Sequence, residues 1–246
     1  PGSNGINVSG NWNNNGGVFS AGTGTVTLTG TGSQTLTSGA SSFYNLTQNG
    51  SGGTYTLQDA LSATNNLTIT NGTLDTKSGF NYGITIGSLW SNGDTFTPRS
   101  GTVTFNGSGS QLIQSGGTGT GKQFNNIVHS GSGSLGLSGV PTGLQVNGAF
   151  TNSNGTFNAT NQPVTVTGLV TVSGGAYSAT AVQQTFNSGF TISGTGTFTG
   201  AANSLVDING VLTVSAGTFT APGSTGTFTV SSNFDHSGGT FTHNSG

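Results

Sequence analysis

An aromatic residue returns at a fixed interval in the C-terminal part of the chain. It follows Gly-Ala or Gly-Thr at positions 177, 198, 219 and 241, so the steps are 21, 21 and 22 residues. Two further apolar groups fill each interval in the same order, such as Val206/Ile208 and Leu212/Val214 before Phe219. A fixed period in this range is typical of repeat architectures. Three strand-like groups per period predict an all-β, three-sided parallel β-solenoid with turns of about 20–22 residues.

A longer repeat overlies the short one in residues 1–160. The segment Gly24–Leu28 returns as Gly101–Phe105, and Trp12 has a counterpart in Trp90. Such offsets lie close to four short periods, and their variation predicts loop insertions, one of them around residues 118–122. Residues 161–246 carry the plain repeat of about 21 residues. Since no charged or Pro-rich linker interrupts the chain, we expect one continuous domain over residues 1–246.

The composition excludes several functional classes. Charged residues make up 3% of the chain and its net charge is −2, so no field attracts nucleic acid or an anionic membrane surface. There is no cysteine, which excludes disulfides and thiolate chemistry. No apolar run of about 18 residues occurs, so membrane insertion is not expected. The abundance of Asn, Ser and Thr suits an extracellular protein.

Alternation of side chains across a strand assigns the two faces of each turn. The recurring aromatic residues are predicted to stack in the core as one ladder, formed by Phe157, Tyr177, Phe198, Phe219 and Phe241. The threonines that flank three of them are then predicted to point outward in rows, formed by Thr197, Thr199, Thr218, Thr220, Thr240 and Thr242.

Several repeat units resemble a known family. Segments such as Gly101–Gly107, Phe124–Ile127 and Leu67–Asp75 are similar to the repetitive β-helical regions of very large bacterial surface proteins. That family includes filamentous adhesins and autotransporter passenger domains, and the resemblance covers nearly the whole chain. It implies a secreted, surface-exposed, right-handed parallel β-helix that serves as a stalk, fibre or adhesin.

An enzyme is the first alternative, because polysaccharide-cleaving enzymes also use parallel β-helices. Glycoside hydrolysis generally needs two carboxylates facing one bond, and the five aspartates lie in five different predicted turns. Asp75 and Asp94 could stack on adjacent turns, but both fit turn residues that bond their own backbone. His236 and His243 are predicted to be exposed polar residues. We therefore expect no catalytic residue, no metal site and no cofactor.

Two functional hypotheses follow. The leading one is a non-enzymatic structural segment of an extracellular bacterial filament, stalk or giant adhesin. Its partners would be copies of itself or further repeats, joined end to end, because residues 1–5 and 239–246 show no capping element. The alternative is a ligand-binding module. In it, outward Thr and Asn rows and aromatic residues such as Trp12, Trp90 and Tyr82 would hold surface glycans or ice.

The scarcity of titratable groups also predicts how stability responds to pH. Since hardly any ion pair can form, little coupling between protonation and folding is expected. The free energy of unfolding should then be nearly constant from acid to neutral pH.

Overall fold

The computed structural model describes residues 4–138 and 143–244, which contain strands and no helix. It confirms the predicted all-β parallel β-solenoid, with about 11 turns spaced about 22 residues apart. Residues 1–3 and 245–246, which belong to the ends where no capping element was expected, lie outside the described residues.

Strand formation follows the apolar groups seen in the sequence, and the described residues form 29 strands. The first ten are β1 (Ile6–Val8), β2 (Trp12–Asn13), β3 (Thr25–Leu28), β4 (Ser33–Thr37), β5 (Asn45–Leu57), β6 (Leu61–Ala63), β7 (Leu67–Asp75), β8 (Ile84–Ile86), β9 (Leu89–Asn92) and β10 (Thr95–Thr97). The next ten are β11 (Thr102–Phe105), β12 (Gln111–Gln114), β13 (Asn126–His129), β14 (Ser134–Leu137), β15 (Leu144–Val146), β16 (Phe150–Asn152), β17 (Thr156–Asn158), β18 (Val164–Val166), β19 (Val170–Val172) and β20 (Ala176–Ser178). The last nine are β21 (Gln183–Phe186), β22 (Phe190–Ile192), β23 (Thr197–Thr199), β24 (Leu205–Ile208), β25 (Leu212–Val214), β26 (Thr218–Thr220), β27 (Thr227–Val230), β28 (Phe234–His236) and β29 (Thr240–Thr242).

The strands pair in parallel into three sheets. Sheet 1 follows the order β1-β3-β5-β7-β9-β12-β14-β17-β20-β23-β26-β29, with β2, β4 and β10 joined beside this path. Sheet 2 runs β6-β8-β11-β13-β16-β19-β22-β25-β28, and sheet 3 runs β15-β18-β21-β24-β27. From β15 onward each turn contributes one strand to sheet 3, one to sheet 2 and one to sheet 1.

The N-terminal turns depart from three short strands each. β5 and β7 are 13 and 9 residues long, and β5 pairs with both β3 and β4. The pairing of β5 with β7 shifts register between Asn49 and Thr54, where the chain reads Gly50-Ser51-Gly52-Gly53. Extra residues on one strand of a pair make it bend at a bulge. Each of these long strands therefore passes a corner without ending.

Side chains alternate between core and solvent as the sequence pattern predicts. In β22, Phe190 and Ile192 are buried while Thr191 between them is only half-buried, and this pattern recurs in sheet 2. Strands of sheet 1 such as β26 have the opposite phase, with Phe219 buried between two half-buried threonines. Every turn thus adds apolar side chains to one continuous core, which a single turn could not form alone.

The recurring aromatic residues occupy matching positions on neighbouring strands of sheet 1. Ring centroids are 4.9 Å apart for Phe157 and Tyr177, and 5.5 Å for Tyr177 and Phe198. They are 4.4 Å apart for Phe198 and Phe219, and 5.7 Å for Phe219 and Phe241. The last three contacts are stacked. Because parallel strands repeat about every 4.8 Å, identical positions bring rings into contact distance.

The glycine before each aromatic residue has a steric role. Gly217 has φ = +67°, in the left-handed region that favours glycine. A Cβ there would also overlap the carbonyl oxygen of Gly196 on the preceding turn. The Gly-Thr-Phe motif therefore marks the point where the chain turns into a strand of sheet 1.

The long repeat of the sequence corresponds to two similar aromatic clusters in the structure. In the first, Trp12 lies 4.9 Å from Phe19 and 5.1 Å from Phe43 between ring centroids. In the second, the cluster of Trp90, Phe96 and Phe124, the tryptophan lies 4.6 Å and 5.0 Å from the two phenylalanines. The same three residue types meet at nearly the same distances, which is the geometry of a duplicated unit.

A loop covers the second cluster. Residues 115–125 lie between β12 and β13 and include the segment where an insertion was expected. The backbone N–H of Phe96 donates to the carbonyl of Gly121 at 2.8 Å. This loop therefore supplies a hydrogen-bond acceptor on one side of β10, and β7 pairs with β10 on the other side. The insertion thus replaces a strand and does not interrupt the core.

The core ladder yields a prediction about local stability. Phe198 is fully buried between Tyr177 and Phe219, and deletion of a buried phenylalanine side chain costs about 3 to 5 kcal/mol. In a solenoid each turn contacts only its neighbours, so Phe198→Ala should loosen residues 177–219 first. Hydrogen exchange should show deprotection centred there. The control is Thr199→Ala, an exposed change next to it, expected to alter stability by less than about 0.5 kcal/mol. Uniform deprotection of the Phe198→Ala variant would contradict this stacking.

Candidate functional site

The predicted threonine rows lie side by side on the last three strands of sheet 1. In each of the two rows, the threonines of β23, β26 and β29 are direct strand partners. The rows contain Thr197, Thr218 and Thr240 in the first, and Thr199, Thr220 and Thr242 in the second. Within a strand the two threonines are about 6.6 Å apart, and between strands about 4.8 Å. We call this set the threonine surface.

The threonine surface is bounded within sheet 1. On β20 the matching positions hold Ala176 and Ser178, and on β17 they hold Thr156 and Asn158. Thr199, Thr240 and Thr242 are exposed, while the other three threonines are half-buried. The surface is therefore a regular array of hydroxyl and methyl groups over three strands.

Other threonine pairs of the sequence lie elsewhere. Thr227 and Thr229 belong to β27 of sheet 3, and Thr95 and Thr97 belong to β10, which pairs with β7. They do not extend the threonine surface.

Sheet 2 carries a threonine row that a search for Thr-x-Thr pairs misses. One outward threonine stands at the centre of each of four successive strands: Thr151, Thr171, Thr191 and Thr213. In three of these four strands the sequence signal is a threonine between two apolar residues, repeated at the turn period, as in Val-Thr-Val of β19. Sheet 2 therefore offers a single row where the threonine surface offers two.

Amide side chains form short ladders between turns. Asn65 donates to Asn45 at 2.9 Å, and Asn71 donates to Asn49 at 2.7 Å. Such bonds between side chains on successive turns run in the same direction as the strand pairing. They stabilise corners of the solenoid.

The aspartates are held in separate environments. Asp75 accepts from the backbone N–H of Lys77 at 3.0 Å, as a turn residue should. Asp94 instead accepts from the N–H of Gly72 on the preceding turn at 2.6 Å, so the prediction that it bonds its own backbone is wrong. The strand partner of Asp75 on the next turn is Thr97, so the two carboxylates do not share a row.

One ion pair is present among the described residues. Arg99 donates through Nε and Nη2 to the two oxygens of Asp75, both at 2.9 Å. These hydrogen bonds lower the pKa of Asp75 below its ordinary value of 3.8. The pair adds stability above that pH, and the contribution is lost as the pH falls below it. Because Arg99 is exposed, this contribution is small.

His129 is a buried titratable group that the sequence did not mark as special. It is fully buried in β13, with Phe105 and Asn152 as its strand partners. His129 Nδ1 lies 2.8 Å from Asn152 Oδ1, and Asn152 Nδ2 donates to the carbonyl of Ala176 at 2.7 Å. Since that amide oxygen can only accept, Nδ1 carries the proton. Burial lowers the pKa of His129 below 6.5, although the bond to Asn152 partly opposes this.

Tyr177 places a second polar group in the core. Its hydroxyl donates to Gln184 Oε1 at 2.7 Å, and Gln184 Nε2 in turn donates to the carbonyls of Gln162 and Val182, both at 3.2 Å. Burial raises the pKa of Tyr177 well above 10. The hydroxyl is thus a neutral donor that links sheet 1 to sheet 3 through the core.

The aromatic residues suggested for ligand binding have different positions. Trp90 is fully buried in the second aromatic cluster, so its assignment to the outer surface is wrong. Trp12 and Tyr82 are half-buried. Phe80, which the sequence analysis did not single out, is 62% exposed. Its signal in the sequence is a position outside the apolar period, next to Gly79.

The described residues contain no group of three or more His or Asp side chains close enough to hold a metal ion. Within the same residues, no helix has the length and hydropathy to span a membrane. Comparisons with protein-family models, curated proteins and solved structures gave no match.

His129 changes the expectation that stability is independent of pH. The unfolded chain takes up a proton on this residue near pH 6.5, and the folded chain does so only at lower pH. Between these two values the unfolded state binds more protons, so the free energy of unfolding falls as the pH decreases. Each unit of pKa difference corresponds to about 1.4 kcal/mol.

The measurement is chemical denaturation of the wild type and the His129→Asn variant from pH 7.5 to 4.5. Asn at this position can form the amide ladder seen elsewhere but cannot titrate, so the fall below pH 6.5 should disappear. The control is His236→Asn, because His236 is exposed. Equal pH dependence in wild type and His129→Asn would show that His129 is not the coupled group.

Proposed function

We propose that this chain is a non-enzymatic structural segment of an extracellular bacterial filament, stalk or giant adhesin. The observation that supports this best is the strand order of sheet 1, which runs without a break from β1 to β29. Backbone hydrogen bonds between turns point along the solenoid, and the aromatic ladder packs in the same direction. A rod built in this way resists bending, because bending separates strands on one side and compresses side chains on the other.

The surface of the rod suits an extracellular setting. The chain has no cysteine to oxidise and few charges, so its folding depends little on redox state or salt. Its outward positions are dominated by threonine, serine and asparagine. These features, together with the family resemblance, support the assignment to a cell-surface structure.

The strands β27, β28 and β29 leave aromatic side chains partly exposed. Phe234 of β28 is 46% exposed, and Phe228 and Phe241 are half-buried. Apolar side chains at the end of a solenoid become buried when another coil stacks on them. We propose that the partner is a further coil of the same kind, from the same chain or from another copy.

Rigidity can be measured with spin labels, because the chain has no cysteine and introduced cysteines would be its only labelling sites. Spin labels at Asn7→Cys and Thr242→Cys would sit on the first and last strands of sheet 1. Eleven strand spacings of about 4.8 Å separate them, which predicts a narrow distance distribution centred near about 53 Å. The control pair Thr156→Cys and Thr240→Cys spans four spacings, or about 19 Å. A broad distribution for the long pair, with a narrow one for the control, would contradict a rigid rod.

The cellular part of the proposal has its own test. Antibodies against the purified chain should label intact source cells in immunogold electron microscopy, on filaments or at the cell surface. Labelling seen only after the cells are permeabilised would contradict it.

The threonine surface supports a second candidate function, the binding of ice or a glycan. Two water molecules bonded to a common third at about 2.75 Å, in tetrahedral geometry, lie about 4.5 Å apart. The threonine spacing of about 4.8 Å between strands is close to this value. The rows could therefore order water into a lattice-like layer, or contact regularly spaced sugar hydroxyls.

This candidate is tested by thermal hysteresis. If the surface binds ice, the wild type should depress the freezing point below the melting point, and Thr218→Tyr at its centre should abolish most of that gap. The matched control is Thr171→Tyr on sheet 2, which should retain it. The absence of hysteresis in the wild type, or equal loss in both variants, would exclude ice binding by this surface.

A further inference from the structure

One corner of the solenoid projects beyond its neighbours. The connection from β7 to β8 consists of residues 76–83. The matching connections on the turns before and after it are shorter, residues 58–60 and 98–101. The extra residues are not needed to link the strands, because the neighbouring turns make the same link with fewer. We call residues 76–83 the projecting loop.

The projecting loop exposes an aromatic ring. Phe80 is 62% exposed, and it stacks on Tyr82 with ring centroids 5.5 Å apart and an angle of 19°. Among the aromatic residues of the described chain, only Phe80 and Phe234 are exposed, and Phe234 lies on the last turn. An exposed phenylalanine adds little to folding. The ring is therefore a candidate contact surface.

Charge is also concentrated at this corner. The whole chain has three cationic side chains, and two of them, Lys77 and Arg99, are here. Lys77 Nζ lies 4.4 Å from the centroid of the Phe80 ring and donates to Gln58 Oε1 at 2.6 Å. Arg99 is paired with Asp75, whereas Lys77 has no carboxylate within 4.0 Å among the described residues.

The carboxylate of Asp59, which follows Gln58 in the sequence, forms no ion pair with Lys77. It accepts hydrogen bonds from the backbone N–H groups of Ser38 and Gly39, at 2.8 Å and 2.7 Å. The ammonium group therefore remains available to an anionic partner beside the exposed ring.

Hydrogen bonds fix the shape of the projecting loop. The N–H of Asn81 donates to the carbonyl of Lys77 at 2.9 Å, and the N–H of Tyr82 donates to the carbonyl of Thr76 at 2.9 Å. Asn81 Oδ1 accepts from the N–H of Ser100 at 3.1 Å, which ties the loop to the next corner. Lys77 and Asn81 both have positive φ, 68° and 56°, a conformation that these bonds maintain. A fixed loop loses little conformational entropy when it binds.

A shallow cleft continues the corner past Arg99. It has a volume of about 290 Å³ and is lined by Thr97, Arg99, Gly121, Gln123 and Asn147, among others. Its volume lies just below the lower limit of small-molecule sites, about 300 Å³, whereas a stable protein interface buries about 800 Å² on each partner. One exposed ring and this cleft therefore match a small ligand better than a protein surface.

We propose that this corner binds an acidic sugar residue within a glycan, such as a uronic acid. A pyranose ring has an apolar C–H face that can cover the Phe80 ring, and its edge carries hydroxyls. Asn81, Gln58 and the Asp75–Arg99 pair offer donors and acceptors for those hydroxyls. The sugar carboxylate would pair with Lys77 in a charge-assisted bond. This proposal is independent of the rod proposed above, since it depends on one loop and not on the length of the solenoid.

The test is calorimetric titration of the full chain with a polygalacturonate oligosaccharide and, in parallel, a neutral galactan oligosaccharide. We expect saturable binding of the acidic ligand by the wild type. Phe80→Ala should weaken it at least tenfold, and Lys77→Gln should weaken the acidic ligand more than the neutral one. Phe234→Ala, which removes an exposed phenylalanine elsewhere, should bind as the wild type does. Circular dichroism of each variant checks that the fold is retained.

Three outcomes would overturn the proposal. The first is no saturable binding of the acidic oligosaccharide by the wild type. The second is unchanged affinity in a folded Phe80→Ala variant. The third is equal weakening of acidic and neutral ligands by Lys77→Gln, which would exclude the recognition of the carboxylate. None of these outcomes bears on the spin-label distances. Rejection of the glycan site would therefore leave the rigid-rod proposal to be judged by its own experiment.

Discussion

The parallel pairing of successive turns is the constraint on which this structure depends. Backbone hydrogen bonds hold neighbouring strands about 4.8 Å apart, so each side chain lies directly above its counterpart on the previous turn. Residues at the same inward position on successive turns form a column. An inward side chain must therefore pack against the residues above and below it in that column, and not only fill its own site. Aromatic residues meet this condition well, because rings such as Phe198 and Phe219 stack at 4.4 Å. The same spacing produces the threonine surface on the outside.

Several polar side chains in the core have a hydrogen-bond partner on a neighbouring strand. His129 is bonded to Asn152 one turn away, and the Tyr177 hydroxyl is bonded to Gln184. An unpaired buried polar group costs about 1 to 3 kcal/mol, so these bonds stabilise the core. Burial also makes stability respond to pH at His129, in a chain where most ionisable groups are at least partly exposed. A single buried residue thus determines the pH response that we expect of the whole rod.

The functions that we propose divide between the regular and the irregular parts of the chain. Where the repeat is uninterrupted, the surface is periodic and suits a structural role or a periodic ligand such as ice. Where the repeat is interrupted, at the projecting loop, the exposed aromatic ring of Phe80 and two of the three cations come together. Departures from the repeat are tolerated because each turn contacts only its neighbours. Such a loop can therefore add a binding site without disturbing the core.

The sequence by itself determined the fold class, because the spacing of Tyr177, Phe198 and Phe219 is compatible with few structures other than stacked turns. It also determined which side chains alternate inward and outward. It did not reveal the burial of Trp90 or the partner of Asp94, since both depend on which turn lies beside them. The tertiary structure alone assembled the corner of Phe80 and Arg99, because pairing of turns joins residues that are distant in the chain. Periodicity is a local property of sequence, whereas a site formed across turns depends on register and loop length.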